Sequence, residues 1–209
     1  MKYDLANPVI VLGGGPSLKM DHWRHLLDEM PSAAINHHAE LACLKTSMFL
    51  QADPPAIADW RTDPVTARNT PGVREENYTP VTVMQDSGCK KFFYDFYSYY
   101  AELTQAPSVY FVPLAHKVDC MHVRVGERSF SHKRTCMLMC FRVMHELGFR
   151  SVLCAGVDLG GPKHARHRDW LRWVVPTMKR VWGMTIYSLN PANAVDAFET
   201  LDCMETQAA

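Results

Sequence analysis

Five short stretches carry residue types that can bind or transfer a chemical group. The first is Gly13-Gly14-Gly15-Pro16-Ser17. Without Cβ atoms the chain can turn tightly and present amides to an anion, and a following helix adds its positive end. Ser17 can cap that helix or donate to a phosphate. The run is neither a Walker loop nor an ordinary dinucleotide fingerprint, since it lacks Gly-Lys-Ser/Thr and Pro16 follows the third glycine. A tight structural turn is the competing reading. Asn36 ends an apolar run and suits a base, sugar or carboxylate, or else caps the next helix. Asp53 can hold a ribose hydroxyl, a metal or an incoming hydroxyl group, or serve as a turn residue before Pro54. Asp158 closes an apolar strand and can hydrogen-bond nearby loop amides, shaping a site rather than reacting in it. His164 and His167 titrate in the range needed for proton transfer, and Lys163, Arg166 and Arg168 beside them can neutralise a phosphoryl leaving group. A solvated basic helix start is the plainer account of that cluster.

Other candidates are weaker. Cys136 and Cys140 share a helical face, with Cys120, His122 and His132 near in sequence, but a zinc site would show a tighter paired spacing. They read as core thiols, and no metal site is expected. Ser17 lacks the Gly-x-Ser-x-Gly setting of a hydrolase nucleophile.

These residues are spaced by elements that alternate between strand and helix. Val9–Leu12 is an unbroken apolar run of the kind a covered parallel strand shows, and Leu18–Glu29 can follow it as a helix that buries Leu18, Trp23, Leu26, Leu27 and Met30. Ala33–Asn36 and Ser47–Gln51 read as strands with a short helix, His37–Leu44, between them. Val81–Met84 and Val109–Val112 are further strands, while the aromatic run from Phe92 to Tyr100 is apolar on too many sides for a one-sided helix. Arg134–Leu147 reads as a helix ended by Gly148, and Ser151–Val157 as a buried strand. A helix through Val181, a strand Thr185–Leu189 and a final helix from about Ala192 to Leu201 complete the series.

This order predicts an α/β protein, a Rossmann-like and mostly parallel sheet with helices on both faces. It is expected to form one domain over 1–209 with surface insertions at 62–80 and 113–130 and a small lid. Ligands of such sheets sit beyond the carboxyl ends of the strands. Gly13–Ser17, Asn36, Gln51–Asp53 and Asp158–Gly161 would all lie there.

Composition narrows the classes. The chain has 209 residues, 47% apolar, with 22 Lys and Arg against 22 Asp and Glu. That balance disfavours general nucleic-acid binding, which needs a positive surplus to displace counterions. No window approaches the roughly 18 continuous apolar residues of a spanning helix, so an integral membrane protein is not expected. MKYDLANPVIVLGGGPS does not read as a signal peptide, and seven cysteines, several within apolar elements, fit a reducing cytoplasmic location.

Three blocks, VIVLGGGPSLK, TCMLMCFRVMHELGFRSVLCAGVDL and MTIYSLNPANAVDAFE, give the chain a resemblance to a known group. It resembles the bacterial sialyltransferases of glycosyltransferase family 42 and the related 6-hydroxymethylpterin pyrophosphokinase-like proteins. The resemblance implies a CMP-linked or other nucleotide-sugar donor, no tightly bound cofactor, and an acceptor glycan or other hydroxyl compound. It would put Gly13, Gly14, Gly15 and Ser17 around the nucleotide or phosphate, and Asn36 and Asp53 near the donor. Thr135 and Cys136 would stand where the family has a Thr-Ser pair, also near the donor, and His167 or its neighbourhood would be the general base. Gly14 and Cys136 depart from the family's asparagine and serine, and no tyrosine pair is evident after Asp158. The alternatives are magnesium- and ATP-dependent pyrophosphoryl transfer to a pterin-like alcohol, with Asp53 and Asp158 holding the metal, or a nucleotide-binding module without catalysis. Self-association is left open.

Overall fold

A computed structural model describes residues 5–15, 18, 23–35, 46–51, 86–94, 98, 101–112, 136–160, 164–190 and 195–201. Eight parallel strands form one sheet, a Rossmann-like α/β architecture. In chain order they are β1 (Pro8–Leu12), β2 (Ser32–Ile35), β3 (Met48–Gln51), β4 (Lys90–Tyr94), β5 (Val109–Val112), β6 (Ser151–Ala155), β7 (Thr185–Ser188) and β8 (Glu199–Thr200). Their order across the sheet is β5-β4-β3-β2-β1-β6-β7-β8. The chain therefore moves outward from β1 through β5, then returns to the other side of β1. The direction of winding reverses between β1 and β6, where open parallel sheets bind their ligands.

Contacts divide the chain into two units, Met1–Ser32 with Val123–Phe130 and Phe141–Ala209, and Ala33–His122 with Ser131–Cys140. In the first unit β1 and β6 pair from Pro8↔Ser151 to Leu12↔Ala155, and Val9–Leu12 are wholly buried. Strands covered on both faces need this continuous apolar character, because neither face meets water. Helix α1 (Leu26–Glu29) follows β1. Leu18, Trp23, Leu26 and Met30 are buried as expected while Leu27 is only half-buried, and regular α-helix covers only the end of the predicted span among the described residues.

Helix α3 (Cys136–Glu146) precedes β6 and ends in a Schellman turn. The amide of Phe149 donates to the Met144 carbonyl and that of Gly148 to the His145 carbonyl, both at 2.9 Å, with Gly148 at φ +89°. Asn7, just before β1, joins this turn: its Nδ2 donates to Gly148 O at 2.8 Å and its carbonyl accepts from the Arg150 amide at 3.2 Å. The amino ends of β1 and β6 are thus clamped together. Helix α4 (Ala165–Trp182) buries Leu171, Val174, Val175 and Met178 along one side, and its internal Pro176 lies on the exposed side.

The expected final helix is corrected. Residues 195–201 contain no helix. Val195 and Phe198 are buried, Phe198 meeting Phe141 edge to face at 6.2 Å, and Glu199–Thr200 pair with Tyr187–Ser188 as β8. Two exposed polar residues make a short, blunt sheet edge.

In the second unit β2, β3, β4 and β5 pair in succession, and helix α2 (Ala101–Gln105) precedes β5. Phe92 and Phe93, left without a strand assignment by the sequence reading, lie in β4 and are buried. Phe93 meets Phe49 of β3 and Phe92 stacks on Tyr110 of β5. An aromatic run that is apolar on both sides suits a strand covered on both faces. His37–Leu44, Val81–Met84 and the insertions 62–80 and 113–130 lie outside the described residues.

One packing contact has a titratable partner. His145 of α3 stacks on Trp182 of α4 at 4.6 Å, and burial, followed by the charge of Arg150, lowers its pKa from 6.5. The fold then binds fewer protons than the unfolded chain just below pH 6.5, so this contribution is present above that pH and is lost as pH falls toward the folded value. An NMR titration of the His145 ring should give a midpoint below 6.5. A midpoint above it would mean that attraction of the imidazolium to the indole face outweighs desolvation.

Candidate functional site

The carboxyl ends of β1 and β6 run directly into glycine-bearing turns that lock together. The Gly13 amide donates to Ala155 O at 2.8 Å and the Gly15 amide to Gly156 O at 2.7 Å, while Leu18 N–H donates to Gly15 O at 3.0 Å. Backbone approaches backbone so closely that side chains are excluded. A Cβ on Gly13 would stand 2.6 Å from Gly156 O, and one on Gly156 would stand 2.2 Å from Gly13 O. Two of the amides expected to face an anion are therefore engaged in extending the β1–β6 contact. The glycines perform a structural task whatever else they do.

Asp158 follows immediately. A Cβ on Gly15 would be 2.4 Å from Asp158 Oδ2, so the carboxylate lies against that glycine. Its Oδ1 accepts a hydrogen bond from Asn190 Nδ2 at 2.7 Å. Asn190 stands just past β7, where its amide donates to Ser188 Oγ at 3.2 Å and its carbonyl accepts from the same hydroxyl at 3.3 Å. Leu159, next to Asp158, takes a left-handed φ of +45°, and its carbonyl accepts from Arg168 Nη1 of α4. Side chains from the ends of β6 and β7 and from the first turn of α4 thereby converge at the winding reversal.

His164 stands at the N-cap position of α4 without a side-chain capping bond, and His167 is exposed in the first turn, their rings 6.0 Å apart. Arg166 lies in the same turn. Farther along, the basic stretch is partly neutralised. Arg172 bonds Asp169 at 2.9 Å and Asp196 at 2.8 Å, which raises the guanidinium pKa and lowers that of the Asp196 carboxyl, and Lys179 pairs with Glu199. Asp196 and Glu199 come from the segment after β7, distant in sequence from the cations they neutralise.

Cys136 belongs to the other unit. It is buried, and its thiol donates to Leu50 O at 3.3 Å. Ser17, Asn36, Asp53 and Thr135 lie outside the described residues. The structure thus brings together Gly13, Gly15, Asp158 and, through Leu159, Arg168, and separately pairs His164 with His167. Sequence reasoning assigned no role to Gly156 or Asn190. Asn190 carried the same signal as Asn36, a polar residue directly after an apolar strand, and Gly156 precedes Asp158 as Gly15 precedes Pro16 and Ser17.

No family model matches this chain, and no curated protein matches it either. Among the described residues no helix is long and apolar enough to cross a membrane, and no three His, Cys, Asp or Glu side chains gather as a metal group.

Proposed function

We propose that this protein is a transferase that uses a nucleotide-activated donor, a glycosyltransferase acting on an acceptor hydroxyl. The observation that carries the reading is the convergence of the Gly13–Gly15 and Gly156–Asp158 turns at the winding reversal between β1 and β6, with the basic, histidine-bearing start of α4 tied to the same loop through Arg168 and Leu159. The resemblance of three sequence blocks to nucleotide-sugar transferases supports the same class.

In this reaction His167 accepts the proton of the acceptor hydroxyl while that oxygen bonds to the donor's sugar carbon. The bond from that carbon to the phosphate oxygen breaks, and its electron pair leaves with the nucleotide. Cations of the α4 start stabilise the departing phosphate. His164, across 6.0 Å, is the alternative base. The donor in such a scheme needs no resident cofactor, and the acceptor is a glycan or another hydroxyl compound.

The test is thermal denaturation of the purified chain with CMP, CDP, UDP, GDP, AMP and ATP, each with and without magnesium. A ligand that binds only the native state raises its apparent stability by about 2.7 kcal/mol at a hundred times its Kd. Metal-independent stabilisation by one nucleotide product is expected. Stabilisation by ATP only with magnesium would replace this reading with pyrophosphoryl transfer, and no response to any nucleotide would overturn it.

A further inference from the structure

We infer that the β1–β6 end of the site is a hydroxyl-binding subsite built on Asp158, which takes the vicinal diol of the donor's ribose rather than its phosphate. The inference rests on the nucleotide-donor reading above and assigns which part of the donor meets which part of the fold.

The reasons are electrostatic and geometric. Glycine turns bind phosphate by offering unengaged amides, but the amides of Gly13 and Gly15 already donate to Ala155 and Gly156 at 2.8 and 2.7 Å. The space beside Gly15 is held by a carboxylate, with Oδ2 only 2.4 Å from where a Cβ would stand. A phosphate placed there would meet a like charge at close range. A diol has the opposite requirement. Each hydroxyl donates, and an ionised carboxylate accepts several hydrogen bonds through its two oxygens.

Asp158 is also held in place for such a role. Asn190 Nδ2 fixes Oδ1 at 2.7 Å, Ser188 fixes Asn190 in turn, and Arg168 holds the carbonyl of the adjoining Leu159. The carboxylate is therefore oriented by β6, β7 and α4 together, whereas an exposed, swinging carboxylate would discriminate poorly.

Calorimetric titration of the full chain with the 5′-monophosphates of cytidine, uridine, guanosine and adenosine, each beside its 2′,3′-dideoxy counterpart, tests this on the unaltered protein. For the nucleotide that binds best, loss of the diol should weaken affinity at least about tenfold, the factor expected for losing hydrogen bonds to a charged group. Asp158→Asn should weaken the ribonucleotide by a similar factor and leave the dideoxynucleotide nearly unchanged. Equal binding of the two ligands by the unaltered chain would overturn the subsite while leaving the nucleotide-donor reading intact. Tighter binding of nucleotide and inorganic phosphate by Asp158→Asn would overturn it in favour of a phosphate subsite. Failure of all eight ligands to bind would overturn the nucleotide-donor reading and this inference with it.

Discussion

Replacing Gly156 with alanine should destabilise the protein by about 3 kcal/mol or more. Two costs act at once. The residue sits at φ +68°, where a Cβ crowds its own backbone at roughly 1–2 kcal/mol. The added methyl would also stand 2.2 Å from Gly13 O and 2.9 Å from Leu18 Cβ. The first neighbour is main chain held by the β1–β6 pairing and cannot swing aside, so the turns must separate, and overpacking of that kind typically costs about 1–3 kcal/mol. Urea denaturation followed by far-ultraviolet circular dichroism measures the effect. Gly160→Ala makes the same chemical change a few residues away, where nothing lies within 4 Å of the new atom, and should shift stability by less than about 0.5 kcal/mol. Equal behaviour of the two variants would refute the locked-turn description.

Lys91→Ala should cost a comparable amount, about 3 kcal/mol, for a different reason. Lys91 is fully buried at the start of β4, and its ammonium donates to Asp86 O and, at 2.7 Å, to Pro107 O. Burial lowers its pKa from 10.5, while Cys89 and Asp86 act in the opposite direction. The turn it supports is irregular: Ser108 has a φ of +56°, its carbonyl accepts from the Lys91 amide at 2.9 Å, and its hydroxyl donates to Ser87 O at 2.8 Å. Alanine would leave the two carbonyls without their charged donor and open a cavity where the methylenes lie. Lys91→Met keeps most of the volume and removes only the ammonium, so it should fall between wild type and alanine, at about 1–2 kcal/mol. If methionine were as stable as lysine in urea, the ammonium would contribute nothing net to the fold.

Much of the sheet was legible in the sequence from its short aliphatic runs. Val9–Leu12 and Ser151–Ala155 could be read because strands covered twice are continuous in Val, Ile, Leu and Cys, and Gly148 marked the end of α3 by its place after the last periodic residue. β4 escaped because Phe92 and Phe93 follow the cations Lys90 and Lys91, and a buried lysine contradicts the usual pattern until its carbonyl partners are seen. β8 escaped because two polar residues have no strand signature of their own; Tyr187 and Ser188 define them by pairing. At the candidate site, the placement of Gly13–Gly15 and of Asp158 just beyond β1 and β6 was readable from their positions after apolar strands. What the glycines touch was not, since Gly156 lies 143 residues beyond Gly13 and sequence gives no distance between turns. The neutralisation of Arg172 and Lys179 was hidden for the same reason.

The clamp on β1 and β6 has a thermodynamic consequence for recognition. At the amino ends Asn7 ties the strand entry to the Schellman turn, and at the carboxyl ends glycine amides tie one turn to the other. Backbone freedom in these turns is surrendered when the chain folds, at roughly 1–2 kcal/mol per residue. A ligand of the proposed kind would meet Gly13 and Gly15 amides already fixed on Ala155 and Gly156, so its interaction energy would not be offset by ordering them. Under the proposed hydroxyl subsite, selectivity would be set by the fit of the ligand to that fixed main chain, and a small change in the placement of a single hydroxyl would be expressed almost undiminished in affinity.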